Sequence, residues 1–143
     1  MNVKNLRLNS VLNNESVSSK YPLINSCYED GFRVGSYKYS GPIMISKSTV
    51  INWKISNRKI SFLDFDVLTN INYKAEFILL GVGKTFDRPY YELKSKFIKK
   101  KINLEIMSTF SACRVWNLTV QDDRNVIGFF IPFFIYDPVL FYP

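Results

Sequence analysis

The chain has 143 residues and a formal net charge of +7, from 19 Lys and Arg against 12 Asp and Glu. Its length suits a single domain, and an apolar content of 47% excludes a wholly disordered chain. There is no histidine, which excludes serine or cysteine nucleophiles activated by histidine and zinc sites built on imidazole.

Residues 1–20 are expected to form a loosely ordered tail. They are rich in Asn and Ser and contain no apolar run as long as that of a signal peptide. Cys27 and Cys113 are too few for a disulfide scaffold or a structural zinc site, so we expect two reduced, semi-buried thiols. These features indicate a cytoplasmic protein.

Residues 21–132 are expected to form one α/β domain that opens with an antiparallel meander at residues 28–55. Gly31 follows a Tyr-Glu-Asp turn, and Gly41 lies in a second turn between two short apolar segments. Residues 50–55 then alternate in hydropathy, which is typical of a half-buried strand. Beyond them, Ser61 and Asp64 resemble a capping box ahead of apolar residues at helical spacing.

The second half of the domain predicts alternating strands and helices. The apolar run at 77–80 indicates a strand covered on both faces. A helix is expected after Pro89, with Asp87 as its cap and with lysines 99–101 at its end. The buried stripe of this helix is predicted to contain Tyr90, Leu93, Phe97 and Ile98.

A strand at 104–107 and a strand at 126–131 flank another short helix, for which Thr109 or Ser111 is the expected cap. Residues 77–131 therefore follow the order strand–helix–strand–helix–strand. Right-handed crossovers of this kind produce a parallel core sheet.

A glycine-rich segment at 81–85 follows the first of these strands. It is not a P-loop, because Ile78 stands where the motif requires glycine, and it is not a dinucleotide fingerprint, because Phe86 replaces the third glycine. A glycine-rich strand end before a helix can hold an anion. The favoured interpretation is that Gly81 and Gly83 simply permit a tight turn.

Lysines at 94, 96, 99, 100 and 101 supply much of the positive charge. They suit a solvated helix face better than a nucleic-acid site, since no nucleic-acid-binding motif accompanies them. Acidic lipid headgroups or an acidic partner are the other expected contacts. Cys113 has no base beside it except lysines, although Arg114 is expected to lower its pKa, so catalysis is not the favoured function.

Several segments in order resemble the small α/β Mth-domain family, which includes the mitochondrial complex I (NADH dehydrogenase) assembly factor three and the adipogenesis-associated Mth-domain protein. The matching segments, at 28–35, 39–41, 50–53, 79–84 and 105–117, span roughly residues 21–132. The resemblance implies a three-layer single α/β domain with a mixed central sheet and an antiparallel layer.

This chain departs from the family pattern at Val82, at Ser108-Thr109-Phe110 and at Val115-Trp116-Asn117. These changes remove polar groups from the loop expected to line a shared pocket, which favours a scaffold role. We therefore expect a non-enzymatic interaction or assembly protein without cofactor or metal. Such a protein would assist a membrane complex such as respiratory NADH dehydrogenase and contact the inner membrane peripherally.

The alternative expectation is a small-molecule site for an anion at the carboxyl ends of the parallel strands. Its lining would consist of Gly81, Gly83, Lys84, Arg114 and Asn117.

Residues 133–143 form an apolar, aromatic C-terminal tail in which prolines disfavour a helix or an interior strand. We expect the tail to pack on its own domain, with a second copy of the chain or a membrane as the alternatives.

Overall fold

The computed structural model describes residues 20–55, 60–69, 74–86 and 89–133. Its strands form two sheets, one with three strands and one with five. The smaller sheet contains β1 (Ile24–Cys27), β2 (Gly31–Val34) and β3 (Tyr37–Ser40). The larger contains β4 (Ile43–Ile45), β5 (Val50–Asn52), β6 (Phe77–Val82), β7 (Leu104–Met107) and β8 (Val126–Ile131).

The parallel core predicted for residues 77–131 is confirmed. Helix α1 (Tyr91–Lys99) connects β6 to β7, and helix α2 (Thr109–Gln121) connects β7 to β8. Strand β6 lies between β7 and β8 and pairs with both in parallel. Strand β4 pairs antiparallel with β8, so the larger sheet is mixed, in the order β5-β4-β8-β6-β7.

Helix α2 lies between the two sheets, and this sheet–helix–sheet arrangement forms the three layers. Alternate residues of β8 face opposite sides, as strand geometry requires. Val126 and Phe130 pack with α2 and the smaller sheet. Ile127 and Phe129 pack instead with α1 and a 3₁₀ helix, Phe62–Thr69, on the other face. The expected α/β domain with a mixed central sheet and an antiparallel layer is therefore confirmed.

The strands of the predicted meander pair antiparallel, but they divide between the two sheets. Strands β2 and β3 form a hairpin with β1, whereas β4 and β5 extend the larger sheet. The division falls at Gly41, whose φ of 81° is accessible to glycine at little cost. All three residues of β4 are buried, and a strand covered on both faces belongs inside a sheet rather than at the end of a meander.

The start of α1 differs from the prediction. The helix begins at Tyr91, after Tyr90 in a left-handed conformation with φ of 51°, and Pro89 precedes it. The expected cap, Asp87, lies outside the described residues. Leu93 and Phe97 are buried as predicted, whereas Ile98 is 72% exposed and does not belong to the buried stripe.

The cap of α2 also differs from the prediction. Ser108 is the N-cap, and its hydroxyl accepts a hydrogen bond from the amide of Ser111. Thr109 is instead the first helical residue and is fully buried. At the 3₁₀ helix, half of the predicted capping box forms, because the amide of Ser61 donates to the Asp64 carboxylate at 2.9 Å.

The two predicted tails fall almost entirely outside the described residues, which leave out 1–19 and 134–143. Phe133 is the described part of the C-terminal segment. Its ring lies 6.3 Å from that of Phe110, and its amide donates to the carbonyl of Tyr28 at 3.4 Å. This residue therefore packs on its own domain.

Candidate functional site

The carboxyl end of β6 is closely covered by the first turn of α2. A Cβ added at Gly81 would lie 3.0 Å from the Cα of Thr109 and 3.1 Å from the Cβ of Ala112. Real Cβ contacts this short are rare, so glycine at this position allows the helix to approach the sheet. Gly81 thus has a packing role at the predicted turn.

Thr109 joins three elements at this edge of the sheet. Its hydroxyl donates a hydrogen bond to the carbonyl of Ile131 at the end of β8 and accepts one from the amide of Gly83 at 2.8 Å. Its own amide donates to the carbonyl of Gly83, also at 2.8 Å. Both backbone polar groups of Gly83 are therefore bonded to Thr109.

We use "strand-end region" for Gly81, Gly83, Thr109 and Ile131. An anion site here would need free amides at the helix start and in the glycine turn. The amides of Gly83, Thr109 and Ser111 already donate to protein acceptors. Three of the amides that such a site would use are therefore already bonded within the chain.

The structure brings part of the predicted anion-site residue set together. Gly81 and Gly83 meet the start of α2, while Lys84 and Arg114 are both exposed. Asn117 lies eight residues after Thr109, which corresponds to about 12 Å along a helix. It is buried and forms two hydrogen bonds with the backbone of Ile24, so it belongs to the contact between α2 and β1.

The two cysteines are free and fully buried in the cluster between the sheets. Burial, together with the neighbouring thiol of Cys27, raises the pKa of Cys113 well above its usual range. The expectation that Arg114 lowers this pKa is wrong, because Arg114 points to solvent while Cys113 faces the core. A protonated, buried thiol is a poor nucleophile.

Sequence reasoning did not single out a polar cluster on the smaller sheet. The hydroxyl of Tyr28 accepts hydrogen bonds from the hydroxyl of Ser26 at 3.0 Å and from Nε of Arg33 at 3.3 Å. These bonds lower the pKa of Tyr28, with the Ser26 contact as the largest cause. The ammonium of Lys38 lies 4.9 Å from the centre of the Tyr28 ring.

The pairing register of the three strands brings the residues of this cluster together. Ser26 pairs with Arg33, and Arg33 with Lys38, so the three residues form a row across the sheet. Phe32 and Val34, on either side of Arg33, are in the core. Residues alternate between faces along a strand, so Arg33 is directed away from α2.

Helix α1 presents a second distinctive surface. Lys96, Lys99, Lys100 and Lys101 are exposed, and none forms an ion pair within the described part of the chain. Tyr91 is 78% exposed and Ile98 is 72% exposed.

Within residues 20–55, 60–69, 74–86 and 89–133, no helix combines the length and the apolar character that crossing a bilayer requires.

Comparisons with known proteins identify relatives of this chain. The chain is 25% identical over 124 residues to the rat protein named NADH dehydrogenase [ubiquinone] 1 alpha subcomplex assembly factor 3, covering 86% of this chain and 66% of the relative. The chain thus spans just under two thirds of that relative's length. It is also 30% identical over 94 residues to the 13 kDa major membrane protein of Francisella tularensis, covering 62% of this chain and 73% of that protein.

A solved structure supports the fold independently. The protein from Bordetella pertussis described as a Mth938-like domain superposes with a TM-score of 0.67 at 14% identity, over 84% of this chain and 91% of the other. The profile described as "Protein of unknown function (DUF498/DUF598)" matches residues 24–131, from the first strand to the last. The chain therefore belongs to the DUF498/DUF598 family and has the Mth938-like fold of its structural neighbour.

Proposed function

We propose that this protein is a non-enzymatic interaction protein that assists the assembly of a membrane complex such as respiratory NADH dehydrogenase. Its rat, mouse and human relatives are named as assembly factors of that complex. The structural observation that carries the proposal is the set of hydrogen bonds within the strand-end region. There, Thr109 bonds both Gly83 and Ile131 at the edge where α/β sheets usually bind small molecules.

The chemistry of the side chains supports a binding role. Nucleophilic catalysis needs an activated group and a base within reach, and the chain contains no histidine. The thiol of Cys113 is buried with a raised pKa. The exposed surface instead offers lysines and large apolar side chains, which are groups that contact other molecules.

Cells that lack the gene provide the test of this proposal. Deletion of the gene in its own cells should lower the amount of intact NADH dehydrogenase complex on native gels, and expression of the chain should restore it. A tagged copy crosslinked in intact cells should recover subunits of the complex or of the membrane insertion machinery. An unchanged complex together with recovery of soluble enzymes alone would overturn the proposal.

A variant pair tests whether the folded domain is required for assembly. Leu118 is 64% exposed on α2, so Leu118→Ser should fold normally and rescue assembly. Asn117→Ala, which removes a buried contact, should fail to rescue in proportion to its loss of folded protein. Equal rescue by an unfolded variant would show that the folded domain is not what acts.

The proposed location is the cytoplasm with peripheral contact at the inner membrane. The name of the Francisella relative, a major membrane protein, supports contact with a membrane. Cell fractionation should place part of the chain with membranes and release it in high salt. Retention after a salt wash, or complete absence from membranes, would count against a peripheral location.

The alternative proposal is an anion-binding domain near Gly81–Lys84 and Arg114. One observation favours it: Lys84 and Arg114 are exposed and form no ion pair among the described residues. A thermal-shift screen of nucleotides and carboxylates tests it, with Lys84→Gln and Arg114→Gln as variants and Lys54→Gln as the control. If no anion raises the melting temperature of the unmodified chain, the anion site is wrong.

A further inference from the structure

We infer that Tyr28, Arg33 and Lys38, on the outer face of the smaller sheet, form a binding site for a carboxylate group. We call these three residues and Ser26 the smaller-sheet cluster. The cluster contains no residue of the strand-end region, and the inference does not depend on the proposed assembly role. It rests on the hydrogen-bond donors that the cluster leaves free and on the charge of its side chains.

The strand pairing places the smaller-sheet cluster on one face of the sheet. Ser26 pairs with Arg33, and Arg33 pairs with Lys38. Paired residues of antiparallel strands direct their side chains to the same side and lie next to each other. Tyr28 follows Ser26 by two residues, and the two hydroxyl oxygens are 3.0 Å apart. Tyr28 and Arg33 are half-buried, whereas Lys38 is exposed.

The hydroxyl of Tyr28 has a free hydrogen to donate. A tyrosine hydroxyl both accepts and donates hydrogen bonds. In this cluster it accepts from Oγ of Ser26 at 3.0 Å and from Nε of Arg33 at 3.3 Å. Among the residues that the structure describes, no acceptor takes its own hydrogen. That hydrogen is therefore available to an acceptor on a bound molecule.

The guanidinium of Arg33 has free donors beside this hydroxyl. Its Nε hydrogen is bonded to Tyr28. Its two terminal nitrogens have neither a hydrogen-bond acceptor nor an ion-pair partner within the described ranges of the chain. The bond from Nε to Tyr28 orients the guanidinium plane, and the nitrogens of such a plane match the two oxygens of a carboxylate.

The charge of the cluster favours a carboxylate over a doubly charged anion. Lys38 is partly compensated, because its ammonium lies 3.8 Å from Oδ1 of Asp30. The same ammonium lies 4.9 Å from the centre of the Tyr28 ring. The uncompensated charge is that of Arg33, which suits the single negative charge of a carboxylate, while Asp30 would repel any further negative charge. The carboxylate can belong to a free carboxylic acid or to an acidic side chain of a partner protein.

NMR titration of the full chain at constant ionic strength tests the inference. The probes are acetate and a glutamate peptide with blocked ends, which represent the two sources of the carboxylate. Both should shift the Nε–H signal of Arg33 and the amide signals of β2 and β3 until saturation, whereas the matching glutamine peptide should not. Inorganic phosphate should bind no more tightly than acetate. Tighter binding of the peptide than of acetate would assign the site to an acidic segment of a partner, and equal binding would assign it to a free acid.

Variants of the cluster should weaken the binding, as followed by the amide signals of β2 and β3. Arg33→Gln should weaken it roughly 10- to 100-fold, because hydrogen bonds to charged groups are the strong ones. Tyr28→Phe removes the donated hydrogen and should weaken it by roughly 2- to 10-fold. Arg33→Lys keeps the charge but loses the paired nitrogens, so it should also weaken the binding.

Matched controls lie outside the cluster. Lys54→Gln removes an exposed positive charge near the larger sheet, and Tyr37→Phe removes the hydroxyl of a residue that pairs with Val34, whose side chain is in the core. Both controls should bind acetate and the glutamate peptide within about twofold of the unmodified chain, because charges distant from the site are screened. Unchanged melting temperatures would show that every variant is folded, and Arg33→Lys serves as the test if Arg33→Gln does not fold.

Several results would overturn the inference. An absence of saturable shifts with both carboxylate probes would show that the cluster binds no carboxylate. Equal shifts with the glutamine peptide would show that the negative charge is not recognised. Tighter binding of phosphate than of acetate would contradict the assignment to a carboxylate, and equal weakening by the controls and the cluster variants would place the binding elsewhere.

Discussion

The side-chain amide of Asn117 bonds both backbone groups of Ile24, although the two residues lie 93 positions apart. The amide of Ile24 donates to Oδ1 of Asn117 at 2.9 Å, and Nδ2 of Asn117 donates to the carbonyl of Ile24 at 2.9 Å. Strand β1 is an edge strand, and Ile24 is fully buried. Because buried backbone groups need partners, Asn117 takes the place of a neighbouring strand.

Asn117→Ala should therefore destabilise the fold strongly. The substitution leaves a buried amide and a buried carbonyl without their partner, at a cost of about 1–3 kcal/mol for each group. We expect the free energy of unfolding in urea to fall by roughly 2–4 kcal/mol. The control Leu118→Ala, at an exposed position of the same helix, should change it by less than about 0.5 kcal/mol. Equal effects would show that the Asn117 contact contributes nothing.

The sequence was sufficient for the parallel core and insufficient for contacts between distant elements. The apolar runs of β6 and β8 specify buried strands by themselves, and the intervening helices then restrict the topology. Asn117 lies close to Arg114 in sequence, and this proximity makes it a candidate for the same anion site. Its hydrogen-bond partner in the structure, Ile24, is distant in the chain, and no local sequence pattern predicts that pairing.

Contacts between distant elements also determine the arrangement of the strand-end region, so the sequence alone could not predict it. Gly81 and Gly83 predicted a tight turn, which is compatible with an open site or a closed one. In the structure, Thr109 bonds both Gly83 and Ile131 at this turn. A buried threonine at the first helical position cannot be distinguished by its sequence pattern from an ordinary cap, so the sequence did not predict these bonds.

Gly81→Ala should separate α2 from the larger sheet. The added methyl group would lie 3.0 Å from backbone of Thr109, which cannot rotate away, and 3.1 Å from the ring of Phe130. Overpacking of this kind costs about 1–3 kcal/mol, and thermal unfolding should show a lower melting temperature. Gly35→Asn is the control, because Gly35 has open space around its Cα and a φ of 62° that asparagine tolerates. A melting temperature equal to that of the control would contradict the close approach.

The thiols of Cys27 and Cys113 should resist modification in the folded protein. Both are fully buried, and the raised pKa of Cys113 keeps it protonated at neutral pH. A chromogenic disulfide reagent should label both thiols at once in urea and should label them in native buffer at a rate set by opening of the domain. Asn117→Ala should accelerate native labelling as it destabilises the fold. Rapid labelling of the unmodified folded chain would contradict the packing of these residues.

Asp123 should make the stability of the protein depend on pH in the acid range. Its carboxylate accepts hydrogen bonds from the hydroxyl of Tyr21 and from Nζ of Lys47, the latter at 3.2 Å. These contacts, with Tyr21 as the largest cause, lower the pKa of Asp123 from its ordinary value of 3.8. The unfolded chain therefore binds the proton more readily, so this contribution is present above the ordinary value and is lost as pH falls through the lowered one.

Tyr21→Phe tests the origin of this dependence. The substitution removes the hydroxyl and retains the ring, whose centre lies 4.8 Å from the ammonium of Lys47. We expect the pKa of Asp123, followed by NMR titration of its carboxyl, to rise toward the ordinary value. The fall in melting temperature between about pH 5 and about pH 3 should become shallower, because the folded and unfolded pKa values approach each other. Tyr37→Phe, at an exposed position of β3, should leave both measurements unchanged, and an unaltered Asp123 titration in Tyr21→Phe would show that Lys47 alone holds the carboxylate.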